Sequence, residues 1–334
     1  MNLPHVPMSD VEIDTPLALL TEQRNVLEMH SISNVMSVIV TELHLLQRSL
    51  GGARVLEPMI DRGCELTRAL SKLESRRETL AQMVALEHRV NKEVEPLLEA
   101  QPRFRDNKDV KECRENLASV FGVLRVRVDE ILDRMSAGDD WRDHDVKLLV
   151  DNFRGFLGAV EKNAHGRYRI VTDPGAHDPQ TYLVHVDISG VRRDTVFMPP
   201  VLQDVLRDLV ANARKYTKPG GTIRASLRDD GASIRIVVED NGRGIPQDQV
   251  KEVVGFGCRG RNVGPDETKG NGFGLTKAYE VVRRWGGRMW IATAESRGVR
   301  VTLQVPRPAR GAARAAGPGA RDQPSASHVV VESA

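Results

Sequence analysis

Length, composition and charge place the chain among ordinary globular proteins. It has 334 residues, of which 40% are hydrophobic and 28% charged, a balance that excludes a mainly disordered or collagen-like chain. The formal net charge is +2, and the stretch after Pro306 carries that excess because it holds four arginines against Asp322 and Glu332. The neutral remainder disfavours a nucleic-acid-binding protein, whose binding face usually needs a surplus of cations.

Cysteine use and hydropathy predict a soluble cytoplasmic protein. Cys64, Cys113 and Cys258 lie far apart and form no C-x-x-C pair, which is typical of free thiols in a reducing compartment. No run approaches the roughly 18 apolar residues that cross a bilayer. The N-terminus also lacks the apolar core of a signal peptide.

Helical periodicity dominates residues 16–100, after a short N-terminal arm of residues 1–15. Alternating steps of three and four between apolar residues predict one helix in about 16–50 and a second in about 55–98, separated by Gly51-Gly52. The apolar seam of the second helix runs through Met59, Leu66, Leu70, Leu73, Leu80 and Val84. Such a hairpin has a stripe too long to cover by itself, so we expect a homodimer that forms a four-helix bundle.

Two further helices are predicted in residues 101–166, an additional helical segment. They occupy about 108–136 and about 143–163, and Gly138-Asp139-Asp140 interrupts them. Periodicity leaves open whether they extend the bundle or form a small sensing element.

The pattern changes from about 167 to mixed strands and helices. Helical runs at 199–217 and 273–286 lie among strand-like runs at Tyr182–Ile188, Thr222–Leu227, Ser233–Glu239, Arg288–Ala294 and Val299–Val305. Residues 167–306 therefore predict one α/β domain, and the fold class is α followed by α/β. The Ala-, Gly-, Pro- and Arg-rich residues 307–334 predict a disordered tail.

A first polar cluster lies on the predicted helix 199–217. Asp208 and Asn212 are four residues apart and share one helical face. An asparagine oxygen is a suitable ligand for Mg²⁺, and Lys215, which precedes Tyr216, could add positive charge beside phosphates. Taken alone, an ordinary polar helix surface is the simpler interpretation.

A second cluster, Glu239-Asp240-Asn241-Gly242-Arg243-Gly244, follows a predicted strand directly. A carboxylate at a strand end can accept a hydrogen bond from an adenine amino group, and nearby glycines let a base approach the backbone. The same residues would also make a simple turn.

A third cluster, Lys269-Gly270-Asn271-Gly272-Phe273-Gly274, leads into the last predicted helix. Glycines at a helix N-terminus expose backbone N–H groups and the positive end of the helix dipole, which suits a polyphosphate. The glycine-rich residues 255–274 predict a mobile lid, with Phe256 and Arg259 at its hinge.

Together the three clusters resemble the ATP-binding domain of the GHKL (Bergerat) family, which histidine kinases, gyrase, Hsp90 and MutL share. D-L-V-A-N-A-R-K-Y-T, D-N-G-R-G-I and G-N-G-F-G-L look like the N, G1 and G2 boxes, and V-V-G-F-G-C-R-G looks like the F box. The resemblance covers about 180–306 and implies a GHKL α/β sandwich that binds ATP and Mg²⁺.

The resemblance also implies roles for the matching residues. Asn212 would bind Mg²⁺, Asp240 would bind adenine, and Lys215, beside Tyr216, would help to hold the phosphates. The glycines that would frame the base and the phosphates are Gly242, Gly244, Gly270, Gly272 and Gly274. Asp208 occupies the first N-box position, which is often Asn or Glu in the family.

The first helix is similar to the phosphoacceptor helix of histidine kinases over H-S-I-S-N-V-M-S-V-I. This similarity implies that His30 takes a phosphoryl group from ATP and passes it to an aspartate of a response-regulator receiver domain. Asn34, one turn later, could orient a water for the reverse hydrolysis. Ser31 stands where the family usually has an acid, so the balance of kinase and phosphatase activity stays open. His88, in E-H-R-V-N-K, is the alternative phosphoacceptor.

Two other functions stay open at this point. The chain could be a docking or phosphotransfer scaffold that keeps a nucleotide domain for structure. It could also be a GHKL ATPase in which Asp208 activates water. Input to a kinase would come from an upstream sensor protein or from helices 108–163.

Overall fold

The computed structural model describes residues 9–52, 54–264, 271–294 and 297–308. Its helices are α1 (Thr21–Ser49), α2 (Glu57–Ala69), α3 (Arg76–Ala100), α4 (Pro102–Arg105), α5 (Lys108–Ala137), α6 (Val146–Lys162), α7 (Val201–Tyr216) and α8 (Gly274–Arg284). Its strands are β1 (Asp10–Glu12), β2 (Arg142–Asp145), β3 (Arg169–Val171), β4 (Thr181–Ser189), β5 (Thr195–Met198), β6 (Thr222–Asp229), β7 (Ser233–Asp240), β8 (Arg288–Ala294) and β9 (Gly298–Pro306). Within these ranges, no helix combines the length and apolar character that a membrane span needs.

Local sequence signals explain where the long helices start and stop. The Asn107 side chain accepts hydrogen bonds from the backbone nitrogens of Asp109 and Val110 and so caps the start of α5. Gly138 ends that helix with φ of 79°, a backbone conformation that favours glycine. The predicted stop of α1 at Gly51-Gly52 is confirmed, because both glycines adopt positive φ there.

Four helices, α1, α2, α3 and α5, form an antiparallel bundle within the single chain. In the ring of neighbours, α1 packs on α2 and α5, and α3 packs on the same two helices. Arg62 of α2 hydrogen-bonds Gln82 of α3, and Arg77 at the start of α3 hydrogen-bonds Ser136 at the end of α5. These pairs show that the chain reverses direction between α2 and α3 and again between α3 and α5.

The apolar stripe of α1 is covered by α5 rather than by a second copy. Met36, Ile39 and Leu43 are fully buried in one core with Phe121 and Leu124 of α5. The prediction that a partner chain must cover the stripe is therefore wrong. Its premise was a two-helix hairpin, whereas the third predicted helix joins the same bundle.

The predicted continuous helix 55–98 is also corrected, because the chain turns back between α2 and α3. Leu73, assigned by periodicity to the buried seam, lies in this turn and is 54% exposed. Gly63 lets α2 approach α1 closely, since a Cβ there would come within 2.9 Å of Val40 Cγ2.

The second unit is a seven-stranded sheet in the order β1-β8-β9-β7-β6-β4-β3. β3, β4 and β6 run parallel, and the remaining neighbours are antiparallel. Helices α6, α7 and α8 contribute their apolar faces to one core with the sheet. The fold class, a helical N-terminal region followed by an α/β domain, is confirmed.

The N-terminal arm of residues 1–15 is not separate from the α/β domain where the structure describes it. β1 pairs with β8 at the edge of the sheet, and Ile13 is buried in the core of that domain. The Tyr279 hydroxyl donates to the Thr15 carbonyl at 2.9 Å. The arm therefore fixes the start of α1 to the α/β domain.

The predicted segment 101–166 divides between the two units. α5 belongs to the bundle, whereas α6 places Phe153 and Leu157 in the core of the sheet domain. The predicted boundary at 167 is therefore too late, and neither predicted helix forms a separate sensing element. The predicted tail, apart from Arg307 and Pro308, lies outside the described residues.

Buried ion pairs connect α5 of the bundle to α7 of the sheet domain. Arg127 and Arg134 of α5 both donate to the Asp204 carboxylate, which is 2% exposed. Arg207 donates to Asp204 at 3.0 Å and to Glu130 of α5 at 2.6 Å. Burial opposes ionisation of Asp204, yet the surrounding cations hold its pKa well below the usual range. Separating the two units would break the pairs that Arg127 and Arg134 make with Asp204 and the pair between Arg207 and Glu130.

We expect Leu43→Ala to lower the free energy of unfolding by about 2–5 kcal/mol, because it opens a cavity in the bundle core. Leu148→Ala, which truncates a side chain that is 60% exposed on α6, should change it by less than about 0.5 kcal/mol. Urea unfolding measures both changes. Equal losses for the two variants would contradict burial of Leu43 in the intrachain bundle core.

Candidate functional site

The three sequence clusters converge where α7, the end of β7 and the start of α8 meet. α7 packs on α8 and on β7, so Asn212, Asp240 and Gly274 come to neighbouring positions. These positions are far apart in sequence, and the sheet topology brings them together.

Asn212 and Gly274 are in direct contact. A Cβ at Gly274 would lie 2.0 Å from Asn212 Nδ2, so a side chain at this position would displace the Asn212 amide. The backbone N–H groups of the first turn of α8 therefore lie beside an amide side chain. This combination suits phosphate oxygens and a hard cation.

Asp240 ends β7 in a tight, buried setting. Its carboxylate accepts a hydrogen bond from the Gly242 backbone nitrogen at 2.8 Å. A Cβ at Gly242 would lie 2.5 Å from the Tyr216 carbonyl and 2.8 Å from the Thr217 hydroxyl, so the turn has no room for a side chain. Burial raises the pKa of Asp240 to about 6, against the lowering effect of its hydrogen bonds.

The glycine-rich segment after β7 is connected to the turn that carries Gly244. Gly244 adopts φ of 76°, and its carbonyl accepts a hydrogen bond from the Asn262 side chain at 3.0 Å. The Arg243 guanidinium in turn donates a hydrogen bond to the Asn262 backbone carbonyl at 3.0 Å. Mobility of the predicted lid stays a prediction.

Gly272 brings the end of this segment against its beginning. It adopts φ of 70°, and a Cβ there would lie 2.8 Å from the carbonyl carbon of Gly257. Gly272 therefore allows two segments of the loop backbone to come into contact beside α8. Gly270, the remaining glycine of this predicted set, lies outside the described residues.

Lys215 gathers positive charge on the same side of α7. Burial, together with the charges of the nearby Arg259 and Arg214, lowers the pKa of Lys215 to about 8. A set of cations that destabilise one another is typical of a site for an anion. The Tyr216 carbonyl accepts a hydrogen bond from the Arg243 backbone nitrogen at 3.2 Å. The centroid of the Tyr216 ring lies 5.3 Å from Lys215 Nζ.

Asp208 is paired with Lys277 of α8, a residue that the sequence analysis did not select. The Lys277 ammonium lies 2.7 Å from Asp208 Oδ2, and both side chains are largely buried. The Asp208 carboxylate is therefore already engaged in an ion pair within the chain. The sequence did carry a signal for Lys277. It is a lysine one turn after the glycines of the G2 box, on the face of α8 that packs on α7.

His30 of α1 faces this same site. Its imidazole packs edge-on against the Phe273 ring, with centroids 5.2 Å apart, and Phe273 packs against Phe256 at 4.7 Å. Phe273 directly precedes α8. Phe273 belongs to the third sequence cluster, and its contact with His30 is visible only in the structure.

The surroundings of His30 favour the neutral form of its imidazole. Burial lowers its pKa, and the charges of Lys277 and Lys215 lower it further, whereas Asp208 opposes them. The Asn34 amide nitrogen lies 3.1 Å from His30 Nε2, one helical turn away. In this arrangement the amide donates to Nε2 and occupies its lone pair.

The alternative histidine is placed differently. His88 is exposed on α3, a helix of the bundle that packs on α2 and α5. The structure therefore places five predicted residues around one site, namely His30, Asp208, Asn212, Lys215 and Asp240. His30, and not His88, makes the aromatic contact with Phe273.

Comparisons with known proteins agree with this geometry. Residues 198–309 match the family model described as histidine kinase-, DNA gyrase B-, and HSP90-like ATPase. The adaptive-response sensory kinase SasA of Synechococcus elongatus is 29% identical over 202 residues, which are 58% of this chain and 48% of the relative.

Two further relatives carry similar names. The sensor histidine kinase Hik2 of Thermosynechococcus vestitus is 34% identical over 32% of this chain and 28% of its own length. The sensor-type histidine kinase PrrB of Mycobacterium leprae is 27% identical over 54% of this chain and 43% of its own length. The chain thus spans less than half the length of these relatives, and two of the three alignments are longer than the ATPase match.

We expect Lys277→Met to destabilise the protein by about 3 kcal/mol, because it leaves the Asp208 carboxylate largely buried without a counter-charge. Lys251→Met is the matched control, since Lys251 pairs with Asp14 at the same 2.7 Å but on an exposed surface. It should cost less than about 1 kcal/mol. Equal losses for the two variants in urea unfolding would contradict the buried pair.

Proposed function

We propose that this chain, whose residues 198–309 form a histidine kinase-, DNA gyrase B- and HSP90-like ATPase domain, is an ATP-dependent protein histidine kinase of a two-component system. Its phosphoacceptor is His30. The observation that carries the proposal is the contact between the His30 ring and Phe273 at the start of α8, beside the residues expected to hold the phosphates.

The binding roles follow from the site. Ionised Asp240 accepts a hydrogen bond from the adenine amino group, and the glycines around it leave room for the base. Lys215, Arg259 and the first turn of α8 hold the phosphates. Mg²⁺ fits the amide oxygen of Asn212, phosphate oxygens and water, and when bound it would neutralise charge on the transferring group.

The transfer step uses the neutral imidazole as nucleophile. A ring nitrogen of His30 attacks the γ-phosphorus, an N–P bond forms, and the bond to the β,γ-bridging oxygen breaks so that ADP leaves with that electron pair. The ring gains positive charge as the bond forms. Asp208 lies close enough for its charge to act on the ring and would stabilise that charge.

Transfer within one chain is the arrangement that the geometry supports. His30 faces the nucleotide site of its own chain, and the α5–α7 ion pairs hold the two units together. The stripe that suggested a homodimer is already buried, so a homodimer stays a prediction without that argument.

The partner and the location also stay predictions. The phosphoryl group is expected to pass to an aspartate of a response-regulator receiver domain, with Asn34 supporting the reverse hydrolysis. Sensor input and a cytoplasmic location are further expectations from the sequence. The position of His30 at the site favours a kinase over a scaffold. The ion pair between Lys277 and Asp208 disfavours an ATPase in which Asp208 activates water.

The central test is mass-spectrometric mapping of the phosphorylated residue after incubation with Mg-ATP. We expect an acid-labile, base-stable phosphate on His30 that His30→Gln abolishes, because the nucleophile is lost. His88→Gln is the matched control and should keep the label, since His88 is exposed on α3.

A mixing experiment tests transfer within one chain. His30→Gln chains and Asn212→Ala chains, each unlabelled alone, should stay unlabelled when mixed. Recovery of label on the Asn212→Ala chains would show transfer between chains. Label that persists on His30→Gln would remove His30 as the acceptor.

Nucleotide affinity should fall as the pH drops through 6. Unliganded Asp240 has a pKa raised to about 6, and its ionised form is the stronger acceptor for the adenine hydrogen bond, so acidification weakens binding. Between pH 7.5 and pH 5 we expect the Kd for ADP to rise by up to about tenfold from this residue.

Asp240→Asn separates this effect from titration of the nucleotide itself. Its amide oxygen is still an acceptor but does not ionise, so affinity should be weaker at pH 7.5 and should lack the Asp240 contribution to the pH profile. Calorimetry at both pH values provides the measurement. Identical profiles for the two proteins would contradict the role of Asp240.

Asn34→Ala should keep or raise autophosphorylation, because it frees the Nε2 lone pair that the amide now occupies. One hydrogen bond of about 1 kcal/mol corresponds to a rise of up to about fivefold. Dephosphorylation of a phosphorylated receiver domain should be lost in the same variant. Ser37→Ala, one turn further along the exposed face, is the control, and a loss of autophosphorylation only in Asn34→Ala would contradict this assignment.

A further inference from the structure

The segment between α6 and β3 reaches from the α/β domain to the helical bundle. α6 contributes to the core of the sheet domain, and β3 is an edge strand of the same sheet. His165 lies between these two elements, and its side chain contacts α1 and α5 of the bundle. This contact involves the first half of α5, whereas Arg127 and Arg134, which pair with α7, lie in the second half. It is therefore a second, separate connection between the two units.

His165 uses both ring nitrogens in this connection. Nε2 lies 2.7 Å from Glu42 Oε1 on α1. Nδ1 lies 3.2 Å from Glu112 Oε1 and 3.4 Å from the Asn116 amide nitrogen, both on α5. Because an ionised carboxylate only accepts, Nε2 carries a hydrogen and donates it to Glu42. Nδ1 can accept from Asn116 in a neutral ring or donate to Glu112 in a protonated one, so the bond to Glu42 persists in both states.

Glu42 is a buried carboxylate that depends on this contact. It is 2% exposed in the second half of α1, and its Oε2 has no hydrogen-bond partner in the described part of the chain. Burial raises the pKa of Glu42, and the hydrogen bonds from His165 and Asn116 oppose this rise. A carboxylate in an otherwise apolar stripe is costly, and the short bond to His165 offsets part of that cost.

The backbone at His165 adopts an unfavourable conformation in bringing the imidazole to α1. Its φ is 49°, and among the described residues it is the sole non-glycine residue with a positive φ. Gly166 follows with φ of 72°, so the chain leaves α6 through two left-handed residues. A residue with a Cβ pays a steric penalty in this region, and the contacts with Glu42 and Glu112 offset it.

α1 is attached to the α/β domain on both sides of His30. Before the histidine, Arg24 pairs with Glu280 of α8 at 3.1 Å. After it, Glu42 is held by His165. Because α1 is one uninterrupted helix, the two contacts together fix how His30 stands relative to the domain. Glu42 lies about 18 Å along the helix from His30, so the contact acts on the site only through the position of α1.

We propose that His165 is a positioning residue whose hydrogen bond to Glu42 holds α1 where His30 packs against Phe273, and so sets the rate of His30 phosphorylation. The effect on the rate rests on the proposed function, whereas the contact itself does not. Loss of the bond lets α1 move relative to the α/β domain, so His30 spends less time at the nucleotide. Nucleotide affinity stays unchanged, because neither His165 nor Glu42 belongs to the nucleotide-binding residues.

Hydrogen exchange of the full chain, measured by mass spectrometry, tests the contact. In His165→Asn, backbone amides around His165 and Glu42 should exchange severalfold faster than in wild type. Asparagine tolerates a positive φ but is too short to replace the imidazole, so the change removes the contact at little backbone cost. His177→Asn is the matched control, because His177 bonds to Thr181 within the α/β domain at 3.0 Å. Equal exchange in wild type and His165→Asn would overturn the proposal.

The rate of His30 labelling at saturating Mg-ATP tests the positioning role. His165→Asn should lower this rate by about three- to tenfold, because one buried bond to a charged group shifts the position of α1 by about that factor. The Kd for ADP, measured by calorimetry, should stay within about twofold of the wild-type value. His177→Asn should change neither quantity. An unchanged labelling rate in His165→Asn, or a loss of ADP affinity that accounts for the slower labelling, would overturn the positioning role.

Variants of Glu42 separate positioning from general destabilisation. Glu42→Gln keeps an oxygen that accepts from Nε2 and should retain most of the rate, whereas Glu42→Leu removes the acceptor and should slow labelling as His165→Asn does. The double variant of Glu42→Leu and His165→Asn should be no slower than either single variant, because both remove the same contact. Additive losses would overturn the positioning role.

Two further points keep the outcomes distinct. Glu42→Leu leaves apolar bulk in the bundle core, so the rate test stands even if His165→Asn fails to fold. A wild-type protein that never labels His30 would contradict the proposed kinase activity and with it the positioning role. The exchange experiment would still decide whether His165 holds α1, because it needs no catalysis.

Discussion

The position of α1 depends on burial of its apolar stripe against α5 of the same chain. Met36, Ile39 and Leu43 have no exposure to solvent, and α5 supplies Phe121 and Leu124 to the same core. α5 also carries the arginines that pair with Asp204 on α7. α5 therefore holds both α1, which carries His30, and α7, which carries Asn212, and it fixes the position of His30 relative to the candidate site.

This packing gives a physical reason for Ser31 beside His30. Ser31 is 4% exposed within the bundle, so a carboxylate at that position would lose its hydration in an apolar interior. The charge near the imidazole comes instead from Asp208 of the other unit, held by Lys277. The charge next to the ring therefore depends on contact between the bundle and the α/β domain.

Sequence patterns predicted the α/β domain well because its signals are local. Apart from β5, which was not predicted, the strands and helices from β4 onward lie within one or two residues of the predicted ranges, and the three clusters converge. Predictions about the bundle were less successful. The chain reversal near Leu73 was missed because a turn of a few residues leaves the heptad spacing on either side almost unchanged. β1 was missed because a three-residue edge strand has too little periodicity to detect.

The sequence by itself determined which faces are buried, where most elements begin and end, and which residues resemble those of a nucleotide site. Only the tertiary structure decided that α5 rather than a second copy covers α1, that α6 joins the sheet, and that Lys277 and Phe273 meet Asp208 and His30. The reason is that the hydrophobic effect is non-directional. Periodicity reports that a face avoids water, but the choice of partner depends on chain connectivity, shape and charge across distant segments.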